Sequence, residues 1–233
     1  VVDAVVQSAF RSAGQRCSAL RLLCVHEAIA DGVLAMVAGA ARELNTGNPA
    51  DLATDVGPLI DAEAFDTITR HVTRLESEAT DLLPQNGVAQ AAANNMPNLL
   101  APRMFEISRI STVGGEIFGP VLQVLRWGPG CAGLETPEAV VQAINALGYG
   151  LTFGIQTRID SRAQALAAAA HIGNVYVNRN MIGAVVGLQP FGGEGLSGTG
   201  PKAGGPHYLY RFCAEQTVTI NTTAAGGNVA LLA

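Results

Sequence analysis

Lysine is almost missing from this chain: of 14 basic residues against 19 acidic ones, only Lys202 is a lysine, and it stands in a Gly- and Pro-rich stretch. That position argues against a Schiff-base lysine held in an apolar pocket. A net charge of −5 leaves no basic surface, so nucleic-acid binding by this segment is not expected. The four cysteines, at 17, 24, 131 and 213, form no C-x-x-C pair, which speaks against a disulfide framework or a zinc centre. Reduced thiols and a cytoplasmic setting are the simpler expectation. The four histidines, at 26, 71, 171 and 207, make no H-E-x-x-H or i, i+4 pair, and no metal site is expected. His71 and His171 read as helix-end or surface residues, and His207 as structural. No run approaches roughly 18 apolar residues and no charged-then-apolar leader opens the chain, so neither a membrane helix nor a secretory route is expected. The sequon Asn221-Thr222-Thr223 then has no consequence.

What the chain does have is apolar mass. Its 233 residues are 48% apolar, enough for one domain with a substantial core. Val1 leads directly into an amphipathic pattern and the end from Asn228 to Ala233 is equally bare, as in a piece of a longer polypeptide.

Helix-period and strand-period patterns alternate. Residues 3–12 place Val5, Val6, Ala9 and Phe10 on one helix face, and 20–25 (LRLLCV) read as a short buried strand. An Asp-started helix is expected over 31–44, with Val33, Leu34, Val37 and Leu44 inward. Another is expected from Asp61 to about Glu78, where Phe65, Ile68, Val72 and Leu75 recur at helical spacing. Residues 80–98 read as loop, and 99–107 and 119–127 as strands. Thr136-Pro137-Glu138 starts a helix that runs to Leu147. Strand 151–157, helix 160–170 and strand 173–178 follow, then a Gly/Pro-dominated loop over 180–206. The alternation at 216–222 predicts an exposed or edge strand. Repeated strand–helix–strand units predict an α/β fold with a largely parallel sheet covered on both faces. Cys24 and Cys213 lie in strand-like apolar runs and read as core.

Cys17 is the residue that suggests chemistry. Gly14-Gln15-Arg16-Cys17-Ser18-Ala19 is a polar, Gly-led junction between helix and strand, where a substrate can approach a thiol and backbone N–H groups can activate it. The same residues also fit a small hydrophobe that falls near a loop.

GQRCSALR resembles the nucleophile segment of the aldehyde dehydrogenase superfamily, and GGEIFGPVLQV (114–124) and QPFGGEGLSGTG (189–200) resemble further segments of it in the same order. Within the superfamily the chain resembles the L-glutamate-γ-semialdehyde (pyrroline-5-carboxylate) dehydrogenase part of bacterial bifunctional proline-utilization enzymes. VYVNRNMIGAVVGLQPFGG (175–193), GTGPKAGGPHYLYRF (198–212) and TVTINTTAAGGN (217–228) carry that likeness. The resemblance implies a Cys-bearing catalytic domain over 1–212. Residues 213–233 would supply an oligomerisation strand and the start of a further segment. It also implies that the chain is a fragment, its NAD-binding Rossmann domain, general base and oxyanion Asn lying upstream.

The implied chemistry is aldehyde oxidation with NAD: the Cys17 thiolate attacks the carbonyl to give a thiohemiacetal, hydride leaves to the nicotinamide, and the thioester so formed is hydrolysed by water. FAD would belong only to a proline dehydrogenase part that this chain lacks. By resemblance Glu116 accepts hydrogen bonds from the nicotinamide ribose and Phe118 packs beside the nicotinamide; a solvated Glu beside a core Phe fits those positions too. The loop 180–187 resembles one that anchors a substrate α-carboxylate, implying donors from the backbone of Gly183 and Ala184 and from Ser18, with Phe191 along the aliphatic part. Many relatives carry Ser where this chain has Ala184, which leaves the backbone donor but removes a side-chain one. Gly193-Glu194-Gly195-Leu196-Ser197-Gly198 satisfies G-x-G-x-x-G without the strand and helix a dinucleotide fingerprint needs, so it reads as a tight loop. A homo-oligomer and a small aldehyde are the implied partners. A dehydrogenase for another acid semialdehyde, a Cys-dependent acyl transferase or hydrolase, and a non-catalytic assembly module remain as other readings.

Overall fold

A computed structural model describes residues 1–84, 96–185 and 187–221. Its main sheet joins β1 (Leu22–His26), β4 (Val121–Trp127), β3 (Arg103–Ile107) and β2 (Thr80–Asp81), in that order. β1–β4 and β3–β4 are parallel, and only the short β2 runs antiparallel. Period-two alternation explains how both faces are filled. Leu122 and Val124 of β4, with Met104 of β3, pack on α1 (Val2–Phe10) and α2 (Glu27–Arg42). Val121 and Leu125, with Phe105 and Ile107, face Ile68, Val72 and Leu75 of α3 (Ala62–Glu78). This is the α/β arrangement the alternation of patterns predicted.

The remaining strands form two separate pairs: β5 (Tyr149–Gly150) with β8 (Glu194–Gly195), antiparallel, and β6 (Thr152–Ile155) with β7 (Asn174–Val177), parallel. α4 (Pro137–Asn145) and α5 (Asp160–Ala169) cover the second pair through Val141, Ile155, Ala163 and Leu166. A cavity of about 410 Å³ lies between β1 and β6.

Two helix starts fall where the sequence put them. The Asp61 carboxylate accepts the Ala64 N–H at 2.8 Å, and the Thr136 hydroxyl accepts the Ala139 N–H at 3.2 Å ahead of Pro137.

Other expectations are corrected. α2 begins at Glu27, not Asp31: His26 Nδ1 accepts the Ala28 N–H at 3.1 Å, and Asp31, one turn in, pairs with Arg126 at 2.8 Å. The first helix ends at Phe10 and tightens into a 3₁₀ turn over Arg11–Gly14. His71 lies inside α3, half-buried, and is not at a helix end. Cys213 is exposed, because the segment around it packs on no core cluster among the described residues. Residues 216–221 form no strand, since this single chain offers them no partner edge and strand hydrogen bonds need one; residue 222 lies outside the described residues, as do 85–95 of the expected 80–98 loop and Val186 of the 180–187 loop.

Candidate active site

Three successive residues before the thiol turn have left-handed backbone: Ser12 (φ 58°), Ala13 (φ 53°) and Gly14 (φ 63°). A non-Gly residue in that region costs on the order of 1 kcal/mol, so the surroundings must enforce it. They do so by close approach. A Cβ on Gly14 would lie 2.1 Å from the Gly119 carbonyl oxygen, which only glycine tolerates. The Gln15 amide ties the turn to the next loop, donating to the Pro58 carbonyl at 3.2 Å and accepting the Ile60 N–H at 2.9 Å. Arg16 Nε donates to the Ser12 hydroxyl at 2.9 Å. Out of this braced turn the Cys17 side chain emerges exposed, at the border of the cavity.

Arg21 holds the turn from beneath. Its guanidinium donates to the carbonyls of Gly14 (2.5 Å) and Arg16 (3.0 Å), reaches Gly119 O at 3.4 Å, and stacks 5.0 Å from the centre of the Phe118 ring. Burial pulls its pKa down to about 10, with Glu116 and Cys17 opposing that fall, so it stays charged at neutral pH.

Glu116 also borders the cavity. Its backbone N–H donates to the Tyr149 hydroxyl at 3.2 Å, while its carboxylate is exposed and accepts no hydrogen bond from a described residue. Phe118 is 42% exposed. An open carboxylate beside an open aromatic ring is a donor-accepting and stacking set that fits a nucleoside's ribose and attached ring. Tyr149 lies on β5, whose partner β8 falls inside the glycine-rich 193–198 bend, and the Gly150 N–H donates to Ser197 Oγ at 3.0 Å. That bend is a tight loop as expected: a Cβ on Gly198 would meet the Gly193 carbonyl at 2.4 Å.

The other expected site residues are spread more widely. Ser18 is 6% exposed, with its carbonyl 3.5 Å from Thr152 Oγ1. The stretch before Gly183 is anchored to α1: the Met181 N–H donates to Ser8 Oγ and the Asn180 amide to Gln7 Oε1, both at 3.1 Å. Gly183 (φ 75°) is exposed, Ala184 is half-buried, and neither N–H donates to a described residue. Phe191 is half-buried and exchanges backbone hydrogen bonds with Ala203 (3.0 and 2.9 Å). Cys17 and Glu116 share the cavity; Ser18, Phe118, Gly183, Ala184 and Phe191 are not on its wall.

Sequence reasoning passed over Arg21 and Tyr149. One signal was present for the first: a lone arginine interrupting the apolar run Leu20–Val25 has to be paired if it is buried. Among the described residues no group of three His, Cys, Asp or Glu side chains could hold a metal ion, and no helix is long and apolar enough to cross a membrane.

The fold and site together define an α/β domain that presents an accessible thiol on a strained, glycine-dependent turn. Residues 1–218 match the family model described as "Aldehyde dehydrogenase family", and the chain belongs to that family. It is 50% identical over 218 residues to the Escherichia coli "Bifunctional protein PutA", covering 93% of this chain and 16% of that protein. It is 36% identical over 215 residues to a Bacillus cereus "1-pyrroline-5-carboxylate dehydrogenase", covering 92% of this chain and 40% of the relative. A crystal structure of a Bradyrhizobium japonicum proline utilization A variant superposes with a TM-score of 0.85 at 54% identity, over 97% of this chain and 22% of that one. The chain thus spans well under half the length of the relatives it matches.

Proposed function

We propose that this chain is the thiol-bearing catalytic part, over 1–212, of an NAD-dependent dehydrogenase that oxidises L-glutamate-γ-semialdehyde to L-glutamate in proline catabolism. The observation that carries the reading is the exposed Cys17 on a braced turn, sharing its cavity with Glu116. Its similarity to a protein named 1-pyrroline-5-carboxylate dehydrogenase supports the choice of substrate.

Cys17 Sγ forms a C–S bond to the aldehyde carbon, placing negative charge on the former carbonyl oxygen. The Cys17 backbone N–H is one donor available to that oxyanion. Bound NAD supplies the hydride acceptor, with Glu116 and Phe118 the residues of this chain that would hold its nicotinamide end. When the oxyanion collapses back to a carbonyl and the carbon gives up its hydrogen as hydride, a thioester is left; water then adds to it, the C–S bond breaks, and Cys17 regains its thiol as the carboxylic acid departs. The base that activates this water lies on polypeptide outside the chain, so the isolated segment is expected to be inactive. The N–H groups of Gly183 and Ala184, which donate to no described residue, suit the substrate's α-carboxylate, with Ser18 and Phe191 completing that side. The whole protein is cytoplasmic, pairs with further copies through 213–233, and uses FAD only in its separate proline-oxidising part.

In the full-length protein, Cys17→Ser should lower kcat/KM for L-glutamate-γ-semialdehyde by at least about a thousandfold, because the nucleophile is lost. An exposed thiol contributes little packing, so the melting temperature should hold. NADH absorbance with glutamate-γ-semialdehyde and with succinate semialdehyde decides the substrate. Retained turnover in the variant, or a preference for the succinate compound, would sink the proposal.

A further inference from the structure

Arg21 touches both halves of the site and belongs to neither. Its side chain leaves the residue that precedes β1 and runs back under the thiol turn, where two nitrogens take the carbonyls of Gly14 and Arg16. The same guanidinium faces the other loop, with Gly119 O at 3.4 Å and the Phe118 ring 5.0 Å away. Its charge sits close enough to Glu116 and Cys17 for both to act on it. No other described side chain contributes hydrogen bonds to both the Cys17 turn and the 116–119 loop. The two loops also meet directly where Gly14 lies against Gly119.

We infer that Arg21 is a positioning residue that locks the Cys17 turn to the Glu116–Gly119 loop, so that coenzyme affinity and thiol reactivity depend on one side chain. The inference rests on the proposed coenzyme role of Glu116 and Phe118. Arginine suits the task where lysine does not. A planar fork can hold two diverging carbonyls and still offer its flat face to an aromatic ring, whereas an ammonium is a single point of charge. Half-burial strengthens each contact, since carbonyls freed from the guanidinium would lose a charged donor in a place where water enters poorly. The strained Ser12–Gly14 backbone gives the lock its purpose, because a left-handed run relaxes once the carbonyls at its end are released.

The test uses the full-length protein with Arg21→Lys, which keeps the charge and loses the fork. Three quantities are read: the Kd for NAD by fluorescence titration, the rate of Cys17 alkylation by iodoacetamide at neutral pH, and the melting temperature. Loss of charge-assisted hydrogen bonds should raise Kd about tenfold and change the alkylation rate at least about threefold, while folding persists. Combined with Phe118→Leu, the two effects on Kd should be less than additive, as expected for groups in contact and not for a general loss of structure. An unchanged alkylation rate, a shift in Kd alone, or full additivity overturns the inference. Should Arg21→Lys fail to fold, Phe118→Leu alone decides: removal of the stacked ring must alter Cys17 alkylation, and an unchanged rate overturns the lock. Glu116→Gln separates the underlying reading. If that change leaves NAD affinity untouched, the coenzyme assignment fails, while the alkylation arm still judges Arg21.

Discussion

Cys17 and Cys24 show how burial assigns different roles to one residue type. Cys24 packs beside the α3 face of the sheet, and burial pushes its thiol up to about 12, where it is inert at neutral pH. Cys17, on its turn, stays open to solvent. His71 shows the opposite sign of the same effect. Burial first, then the Arg74 charge, lowers its pKa from 6.5 to about 4, with Glu78 opposing. Below pH 6.5 the unfolded chain takes up a proton that the folded chain refuses until about pH 4, so stability falls as pH drops through that window and is unaffected above it. Half-exposure keeps the effect modest. His71→Gln should therefore flatten the decline of melting temperature between pH 7 and 4.5; parallel curves for the two proteins would refute the assignment. At this scale the sequence was legible where a residue acts through its type, as at Cys17. It was silent where a residue acts through its neighbours: nothing local to His71 announced that it would be half-buried with its Nδ1 3.4 Å from Arg74, whose guanidinium also donates to the Thr112 carbonyl.

Among the elements, caps and periodicity were readable. Asp61 and Thr136 start their helices because a short oxygen-bearing side chain satisfies an N–H that the helix leaves free. Asp31 has the same side chain and caps nothing, since the helix had already begun when His26 supplied the acceptor. The end of α1 was hidden for a different reason. Ser12 and Ala13 are ordinary helix-compatible residues, and their left-handed backbone is imposed by the approach of Gly14 to Gly119, a contact more than a hundred residues away in sequence. That contact makes a sharp expectation. Gly14→Ala puts a methyl 2.1 Å from a backbone oxygen at φ 63°, and the loops must part. Stability should fall by about 2 kcal/mol or more, from overpacking plus backbone strain. Urea unfolding of the full-length variant measures it, and a midpoint equal to wild type would show that the loops separate freely.

For the molecule as a whole, the alternation of strands and helices foretold a mostly parallel sheet, yet not its division into a four-stranded sheet and two pairs. Strand order arises from long-range docking that no local pattern encodes. The C-terminal stretch forms no strand over 216–221 for a related cause, because an edge strand exists only when another edge meets it. Val218 and Ile220 remain 69% and 73% exposed, in line with Leu209, Tyr210 and Phe212. Such a row of apolar side chains fits contact with a second copy. Val218→Glu with Ile220→Glu should shift the full-length protein toward smaller species in sedimentation, and an unaltered distribution would remove these residues from any subunit contact. Lys202 stands in the Gly- and Pro-rich stretch that carries Phe191. Its ammonium, the only one on a side chain here, donates to the Gly173 carbonyl and sits 3.4 Å from Asn174 Oδ1, while the neighbouring Ala203 is laced to Phe191. Acylating agents, which decorate an average protein at many scattered amines, would find a single side-chain amine in this stretch, and capping it would slacken the mooring of an entire glycine-rich arm.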